Sequence, residues 1–315
     1  MKQPRRSTPA GKHRPILLQE TLDWLDPQPG KTIVDCTTGF AGHSVEILKR
    51  IGPEGRLFCL DLDADNLPGA RERLEAVGHP FSLHHTNFAG ISQVLGEAGG
   101  LQADGVLADL GMSSMQVDDP ERGFSYSREG PLDMRMDRTR GKSAAQLLQT
   151  IDQDELQKQL RELGDELEAE TIAAAIVKSR GSQPIETTTQ LAKLIQEAVG
   201  QTAWQLKPKP GKWTTHPAAR TFQVLRILVN RELANLTALL RQLPELVKPG
   251  GRVAIISFHS GEDRLVKNAF KEGHRQGVWK TISDDPIRPS FYERQDNPRS
   301  RSAKMRTAEK ADFPA

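Results

Sequence analysis

The stretch Lys31 to Ser44, KTIVDCTTGFAGHS, constrains the fold more than any other. The β-branched run Thr32-Ile33-Val34 suits a buried strand, which Asp35 closes. Gly39 and Gly42 then permit a sharp bend and a close backbone approach, and Val45 to Arg50 follows as a helix. A strand, a glycine turn and a helix N-terminus build the cofactor pocket of many doubly wound sheets. An ordinary βα turn can carry two glycines as well.

The same unit recurs. Pro15 to Leu25 reads as a short amphipathic helix ended by Pro27-Gln28-Pro29-Gly30. The helix after the glycine turn stops at Gly52-Pro53, and a second strand, Arg56 to Leu60, ends at Asp61. Asp61 stands where an acidic residue hydrogen-bonds a ribose diol. Asp63 can equally cap the helix expected from Asn66 to Val77. A third strand, Phe81 to His85, leads to Phe88, which can flank an adenine ring or pack in the core. A fourth, Asp104 to Ala108, ends at Asp109. Four strand-then-helix units predict a parallel sheet with right-handed crossovers, and ligands bind such sheets beyond the carboxyl ends of the strands. Asp35, Asp61, Phe88 and Asp109 all occupy such ends, and that convergence favours a cofactor site.

The character then changes. Gln116 to Arg140 is a long polar loop dotted with Gly and Pro, and Ser143 to Gly200 is helical in pattern. Helices are expected near Ala144–Thr150, Asp154–Leu163, Glu166–Arg180 and Thr188–Val199. Trp204 and Trp213 interleave with Lys207, Lys209 and Lys212, which suits a single-stranded nucleic acid or a Pro-rich linker. Pro217 to Leu243 reads as one long helix with Phe222, Leu225, Val229, Leu233, Leu236 and Leu240 on a stripe, and Arg220, Gln223, Arg226 and Asn230 on a polar edge beside it that is solvated or turns its N-terminal end to the cleft. GRVAIISFHS is a fifth strand, followed by a helix through Phe270 with Ser260 and Asp263 as its capping pair. His259 is either structural or turned to the cleft. A short strand is expected near Lys280, and the remainder is extended and basic. The pattern places a sheet domain at residues 1–115 and 216–315, with a small helical domain, residues 116–215, inserted into it.

Charge and cysteine usage narrow the classes. The 315 residues carry a net charge of only +2, but Lys2, Arg5, Arg6, Lys12 and Arg14 crowd the start. Arg288, Arg294, Arg299, Arg301, Lys304 and Arg306 crowd the end. Basic termini on a neutral body fit phosphate binding, or simple solvation. Cys36 and Cys59 read as buried thiols of a reducing compartment, so a cytoplasmic protein is expected. No Cys/His cluster suggests a metal, and no apolar run approaches the ~20 residues of a membrane span. The first strand's turn lacks G-x-x-x-x-G-K-[ST], and its glycine spacing argues against NAD. A glycine turn, an acidic ribose ligand, an adenine-flanking aromatic and a fourth-strand Asp fit S-adenosylmethionine. No Cys nucleophile follows the fourth strand, which leaves methyl transfer to nitrogen or oxygen.

One resemblance is more specific. DGVLADLGMSSMQVDDPERGFSYSREGPLDMRMD, HPAARTFQVLRILVNREL, GGRVAIISFHSGEDRLVK and NPRSRSAKMR resemble, in order, blocks of the bacterial small-subunit ribosomal RNA (cytidine N4)-methyltransferases. The similarity runs from about His13 to Lys310. It implies an α/β class I (Rossmann-like) S-adenosylmethionine-dependent methyltransferase domain with an inserted helical substrate-recognition domain. It also implies a cytidine of 16S rRNA near the decoding site as substrate, in the small ribosomal subunit. By similarity Ala41, Gly42 and His43 contact the cofactor, Asp61 binds the ribose, Phe88 lies by the adenine, and Asp109 and Gln116 complete the pocket. Asp109, or the backbone just after it, is also the candidate catalytic acceptor for the cytosine amine, and Tyr126 or Phe124 either stacks on the flipped base or packs within the loop. The chain departs from the family pattern at Phe40, Ala41, Met115 and Gly261. Two other readings stay open: a methyltransferase of this fold acting on DNA or a small molecule, and a non-catalytic RNA-binding or ribosome-assembly module.

Overall fold

The computed structural model describes residues 15–205 and 216–312. They form two compact units: residues 15–111 with 233–312, and residues 112–205 with 216–232. The expected Lys/Trp loop at 206–215, the side chain of Trp204 and the basic start at 1–14 lie outside the described residues.

The first unit opens with α1 (Leu18–Leu25) and β1 (Thr32–Asp35), then α2 (Gly42–Ile51), β2 (Arg56–Asp61) and α3 (Leu67–Glu75). There follow β3 (Phe81–His85), α4 (Ile91–Glu97) and β4 (Ala103–Asp109). In the second unit lie α5 (Ser114–Asp118), α6 (Ala144–Thr150), α7 (Gln153–Gly164), α8 (Ala169–Arg180), α9 (Thr188–Gln205) and α10 (Ala218–Asn230). The chain returns through α11 (Glu232–Leu246), β5 (Val247–Ser257), α12 (Ser260–Arg275), β6 (Trp279–Ile282), α13 (Phe291–Asp296) and β7 (Lys304–Lys310).

The sheet order is β3-β2-β1-β4-β5-β7-β6. The first five strands are parallel, and β7 pairs antiparallel with both β5 and β6. Side chains alternate between faces, as strand geometry requires. Ile33, Leu57, Cys59, Leu107, Ala254 and Ile256 bury against Leu22, Leu25, Ile47, Leu48, Ile51 and Leu74 of α1, α2 and α3. Their neighbours Val34, Phe58, Leu60, Val106, Val253 and Ile255 bury against Ile91, Leu95, Leu236, Leu243, Val266 and Phe270 of α4, α11 and α12. Strands apolar on both faces and covered by helices on both sides make the doubly wound sheet that the sequence implies. Strand order reverses between β1 and β4, so the switch point lies at their carboxyl ends.

The second unit has its own core, in which Leu148, Leu156, Leu160, Ile172, Ile176, Leu191 and Ile195 surround Phe222, Val224 and Leu225 of α10. The return to the sheet unit therefore falls after residue 232, not at 216. The single helix expected from Pro217 to Leu243 is two, because Arg231 takes a left-handed conformation (φ 52°) between α10 and α11. The stripe splits with it: Phe222 and Leu225 join the helical core, Leu236 and Leu240 the sheet core. Its polar edge is not simply solvated either. Arg226 pairs bidentately with Glu232 (2.8 and 2.9 Å), and Arg220 donates to Asp165 O at 2.7 Å.

The polar loop after α5 is held from within. Asn230 accepts the Met136 N–H at 2.7 Å and donates to Met134 O at 2.8 Å. Arg122 donates to the carbonyls of Arg135 and Met136. Phe124 is buried in the core, and Tyr126 stacks on His216 with ring centroids 4.6 Å apart and meets Phe222 edge-on. Neither ring stands free to take a flipped base, which corrects that expectation. The tail is also more ordered than expected. Lys304 to Lys310 is a sheet strand, and Lys304 and Arg306 are paired with Asp263 at 3.1 and 2.6 Å. Asp263 is thus an ion-pair partner, and the cap of α12 is His259 with Glu262.

Candidate active site

The first unit gathers four carboxyl groups around the carboxyl ends of β1, β2, β4 and β5. Asp35 ends β1, and its carboxylate accepts the Ser44 hydroxyl (2.5 Å) and the Thr37 N–H (3.1 Å). Those bonds tie the strand end to the first turn of α2. Burial nevertheless pushes the Asp35 carboxyl up to about 6, with Asp61 adding to the rise.

Asp61 ends β2 and fastens the glycine turn. Its Oδ2 accepts the Gly39 N–H at 2.6 Å; its Oδ1 accepts the Asp63 N–H at 2.7 Å and the Asn66 amide at 3.2 Å. Gly39 has φ +50°, which glycine adopts freely. Each carboxylate oxygen has two lone pairs, so Oδ2 keeps one acceptor position for a hydroxyl. Burial holds the Asp61 carboxyl above the usual range. Asp63 caps the short turn that leads into α3, so the two acids divide the roles the sequence left open.

Ala41 is fully buried, with φ 58° in the left-handed region, a strained conformation for a residue with a Cβ. Gly42 opens α2; a Cβ there would stand 3.3 Å from the Pro15 ring. Phe40 is accommodated beside α3, where its carbonyl accepts from Arg73 at 2.7 Å. His43 points inwards. Its Nε2–H donates to Ile16 O at 3.0 Å, which leaves Nδ1 as an acceptor 3.8 Å from Asp109 Oδ2, beyond hydrogen-bond length. Burial pushes the imidazole down to about 4, so it is neutral at pH 7.

Asp109 ends β4. Its main-chain N–H donates to Thr37 Oγ1 at 2.6 Å, joining the ends of β4 and β1. The side chain is 23% exposed, yet Oδ1 reaches no solvent and has no hydrogen-bond partner among the described residues. Burial, Asp35 and Glu262 hold the Asp109 carboxyl well above the usual carboxylate range. Glu262, buried in the first turn of α12, accepts the Phe258 N–H at 2.8 Å. His259 is the helix cap, the structural of its two alternatives; a Cβ at Gly261 would lie 3.1 Å from its Nδ1. Phe88 follows β3, half-buried against the core.

Gln116 lies in the second unit, where it forms a reciprocal capping box with Ser113 at the start of α5. Met115, its neighbour, is exposed. Sequence reasoning missed Thr37, Ser44 and Glu262. A hydroxyl two residues past a strand-ending Asp was the available signal for Thr37. Glu262 was hidden because a His is an unusual helix cap.

Chemically, Asp35, Asp61, Asp109 and Glu262 gather four carboxyl groups, three of them held above the usual carboxylate range, beside a neutral imidazole. An orphaned buried carboxylate oxygen and a spare acceptor on Asp61 fit a ligand carrying positive charge and hydroxyl donors, as S-adenosylmethionine does. Among the described residues no helix is long and apolar enough to cross a membrane.

Comparison with known proteins agrees. Residues 10–311 match the MraW methylase family. The chain is 46% identical over 309 residues to "Ribosomal RNA small subunit methyltransferase H 2" of Alkaliphilus metalliredigens, covering 97% of this chain and 87% of that one. It is 43% identical over 313 residues to "Ribosomal RNA small subunit methyltransferase H" of Symbiobacterium thermophilum, covering 95% and 96%. It is 44% identical over 313 residues to the Geobacter sp. protein of that name, covering 95% and 98%. The sheet order, the acidic pocket at its switch point and a match over nearly the whole length lead to one conclusion: the chain belongs to the MraW methylase family, class I methyltransferases that use S-adenosylmethionine.

Proposed function

We propose that this protein methylates the exocyclic N4 of one cytidine in 16S rRNA near the decoding site, in an assembled or nearly assembled small ribosomal subunit. The relatives' names support an rRNA substrate, and the observation that carries the chemistry is the buried, unpartnered Oδ1 of Asp109.

S-adenosylmethionine supplies an activated methyl group when bound. Ala41, Gly42 and His43 at the start of α2, Asp61, Phe88, Asp109 and Gln116 are the residues proposed to hold it. Asp61 accepts a ribose hydroxyl on the free lone pair of Oδ2, while the Gly39 and Asp63 N–H groups fix its carboxylate.

Cytosine's amine is a weak nucleophile because its lone pair is conjugated with the ring. Asp109 Oδ1 accepts one amine N–H, which favours a more tetrahedral nitrogen, and afterwards takes the proton that nitrogen must lose. To take that proton the carboxyl must be ionised, and burial opposes ionisation in the empty pocket. Positive charge beside Asp109 favours its carboxylate, so loading the site prepares its base.

The test offers labelled cofactor with small subunits, naked 16S rRNA or DNA, followed by mass spectrometry of digested nucleosides. N4-methylcytidine at one rRNA position is the expected product. Methylated DNA alone, or cofactor binding without transfer to RNA, would contradict the proposal.

A further inference from the structure

Among the described residues, two aromatic side chains stand largely in solvent. Phe291 and Tyr292 open α13 and are 61% and 77% exposed, the only aromatics among the large exposed hydrophobic side chains of the described residues. Their rings meet edge-on, with centroids 5.8 Å apart.

The backbone beneath them is firmly held. Ile287 exchanges two main-chain hydrogen bonds of 2.8 Å with Met305 of β7. Pro289, Ser300 and Ala303 are buried. Ser290 caps α13, and Glu293 accepts the Leu17 N–H at 2.9 Å. The exposure therefore belongs to an anchored surface, not a loose end, and leaving two rings in water on it is costly.

The surroundings are rich in arginine, interleaved with Glu293 and Asp296 of α13. Arg288 and Arg294 flank the pair and are exposed, and the turn Pro298–Ser302, which carries Arg299 and Arg301, packs along α13. Ile287 packs against the sheet core and Pro289 is buried, and apart from the two rings no large hydrophobic side chain of residues 284–302 is exposed. A protein interface core draws on a contiguous apolar patch, whereas rings rimmed by arginine match the stacking platforms of proteins that hold unpaired nucleotides.

Resting on the rRNA reading above, we propose that Phe291 and Tyr292 stack on an unpaired nucleotide of the RNA substrate while Arg288 and Arg294 hold flanking phosphates. The platform serves substrate capture and lies outside the pocket that holds the cofactor.

The test compares wild type with Phe291→Ala/Tyr292→Ala, Arg288→Glu/Arg294→Glu and the ring-preserving Tyr292→Phe. Single-stranded RNA binding is read by anisotropy across a salt series, and methyl transfer to small subunits as KM and kcat separately. Loss of the rings is expected to weaken RNA binding roughly five- to hundred-fold, with a matching rise in KM. Cofactor affinity stays unchanged in the same calorimeter cell, Tyr292→Phe binds as wild type does, and the Arg variant flattens the salt dependence. Unchanged RNA affinity and KM in the Ala variant, while wild type methylates subunits, would overturn the platform alone. Wild type that methylates no RNA would overturn the rRNA reading, and the platform with it.

Discussion

His43 Nδ1 lies 3.8 Å from Asp109 Oδ2, so the first turn of α2 and the end of β4 set a neutral imidazole against a carboxyl group with an unpartnered oxygen. The pairing has a measurable signature in the pH dependence of stability. Folding pushes His43 from its ordinary 6.5 to about 4. Below 6.5 the unfolded chain takes the proton and the folded one does not. Stability is therefore lost as pH falls, and the loss is complete near pH 4. Asp35, raised to about 6, has the opposite slope: its favourable contribution is present below its unfolded pKa and is lost as pH rises to 6. The two offset each other in the wild type. His43→Gln removes one of them. Wild-type stability minus variant stability, from urea titrations of cofactor-free protein, is expected to fall by roughly 3 kcal/mol between pH 6.5 and 4. A pH-independent difference would refute the buried neutral imidazole.

The acidic pocket also couples cofactor binding to protons. Asp35, Asp61 and Asp109 all hold their protons more tightly than free carboxyls do. A cationic ligand lowers those pKa values, so binding releases protons, and the Asp35 contribution makes affinity rise with pH up to about 6 and level off above it. Calorimetry in buffers of different ionisation enthalpy is expected to report net proton release for S-adenosylmethionine. S-adenosylhomocysteine, whose sulfur is uncharged, is expected to release fewer. Equal release by the two would place the positive charge away from these carboxyls.

Asp61 joins structure and binding in one side chain. Both its oxygens face N–H donors, from Gly39 and Asp63. Asp61→Asn turns an amide N–H toward one of them, whichever way it is rotated. The expected cost is about 1–3 kcal/mol of stability, seen in denaturant titration. Cofactor affinity is expected to fall at least tenfold, because the same lone pairs no longer define the turn. Wild-type affinity in a folded variant would remove Asp61 from the ribose site.

Asn230 performs the comparable task in the helical unit. Its amide bridges Met134 O, Arg226 O and the Met136 N–H. Asn230→Ala is expected to destabilise the unit by about 2–3 kcal/mol and to raise hydrogen exchange at residues 134–136. Unchanged exchange there would mean that the buried Arg122 contacts suffice to hold the loop.

The sheet was legible because its strands are short, β-branched runs that each end on a polar residue. β3 was placed to the residue, and β1, β2 and β4 within one or two. β7 was not legible. KMRTAEK carries little apolar signal and becomes a strand only by pairing with β5 and β6, far away in sequence. The break at Arg231 was hidden as well, since no Gly or Pro marks it and the apolar stripe runs on across it. Each half of the stripe buries in a different core, which only tertiary structure reveals. At the site, the strand-end residues Asp35, Asp61 and Asp109 were visible from topology alone. Their hydrogen-bond partners Thr37, Ser44 and Asn66 were not, because main-chain geometry decides which hydroxyl or amide faces which carboxylate.

Single-turnover methyl transfer by Asp109→Asn, with cofactor affinity measured in parallel, tests the proposed chemistry most directly. An amide at this position keeps shape and can accept a hydrogen bond, but cannot take the amine proton. Transfer to small subunits is expected to slow by 10²- to 10⁴-fold, the usual range for losing an acid–base group, while cofactor affinity changes several-fold at most. An undiminished rate would contradict the role of Asp109 as proton acceptor.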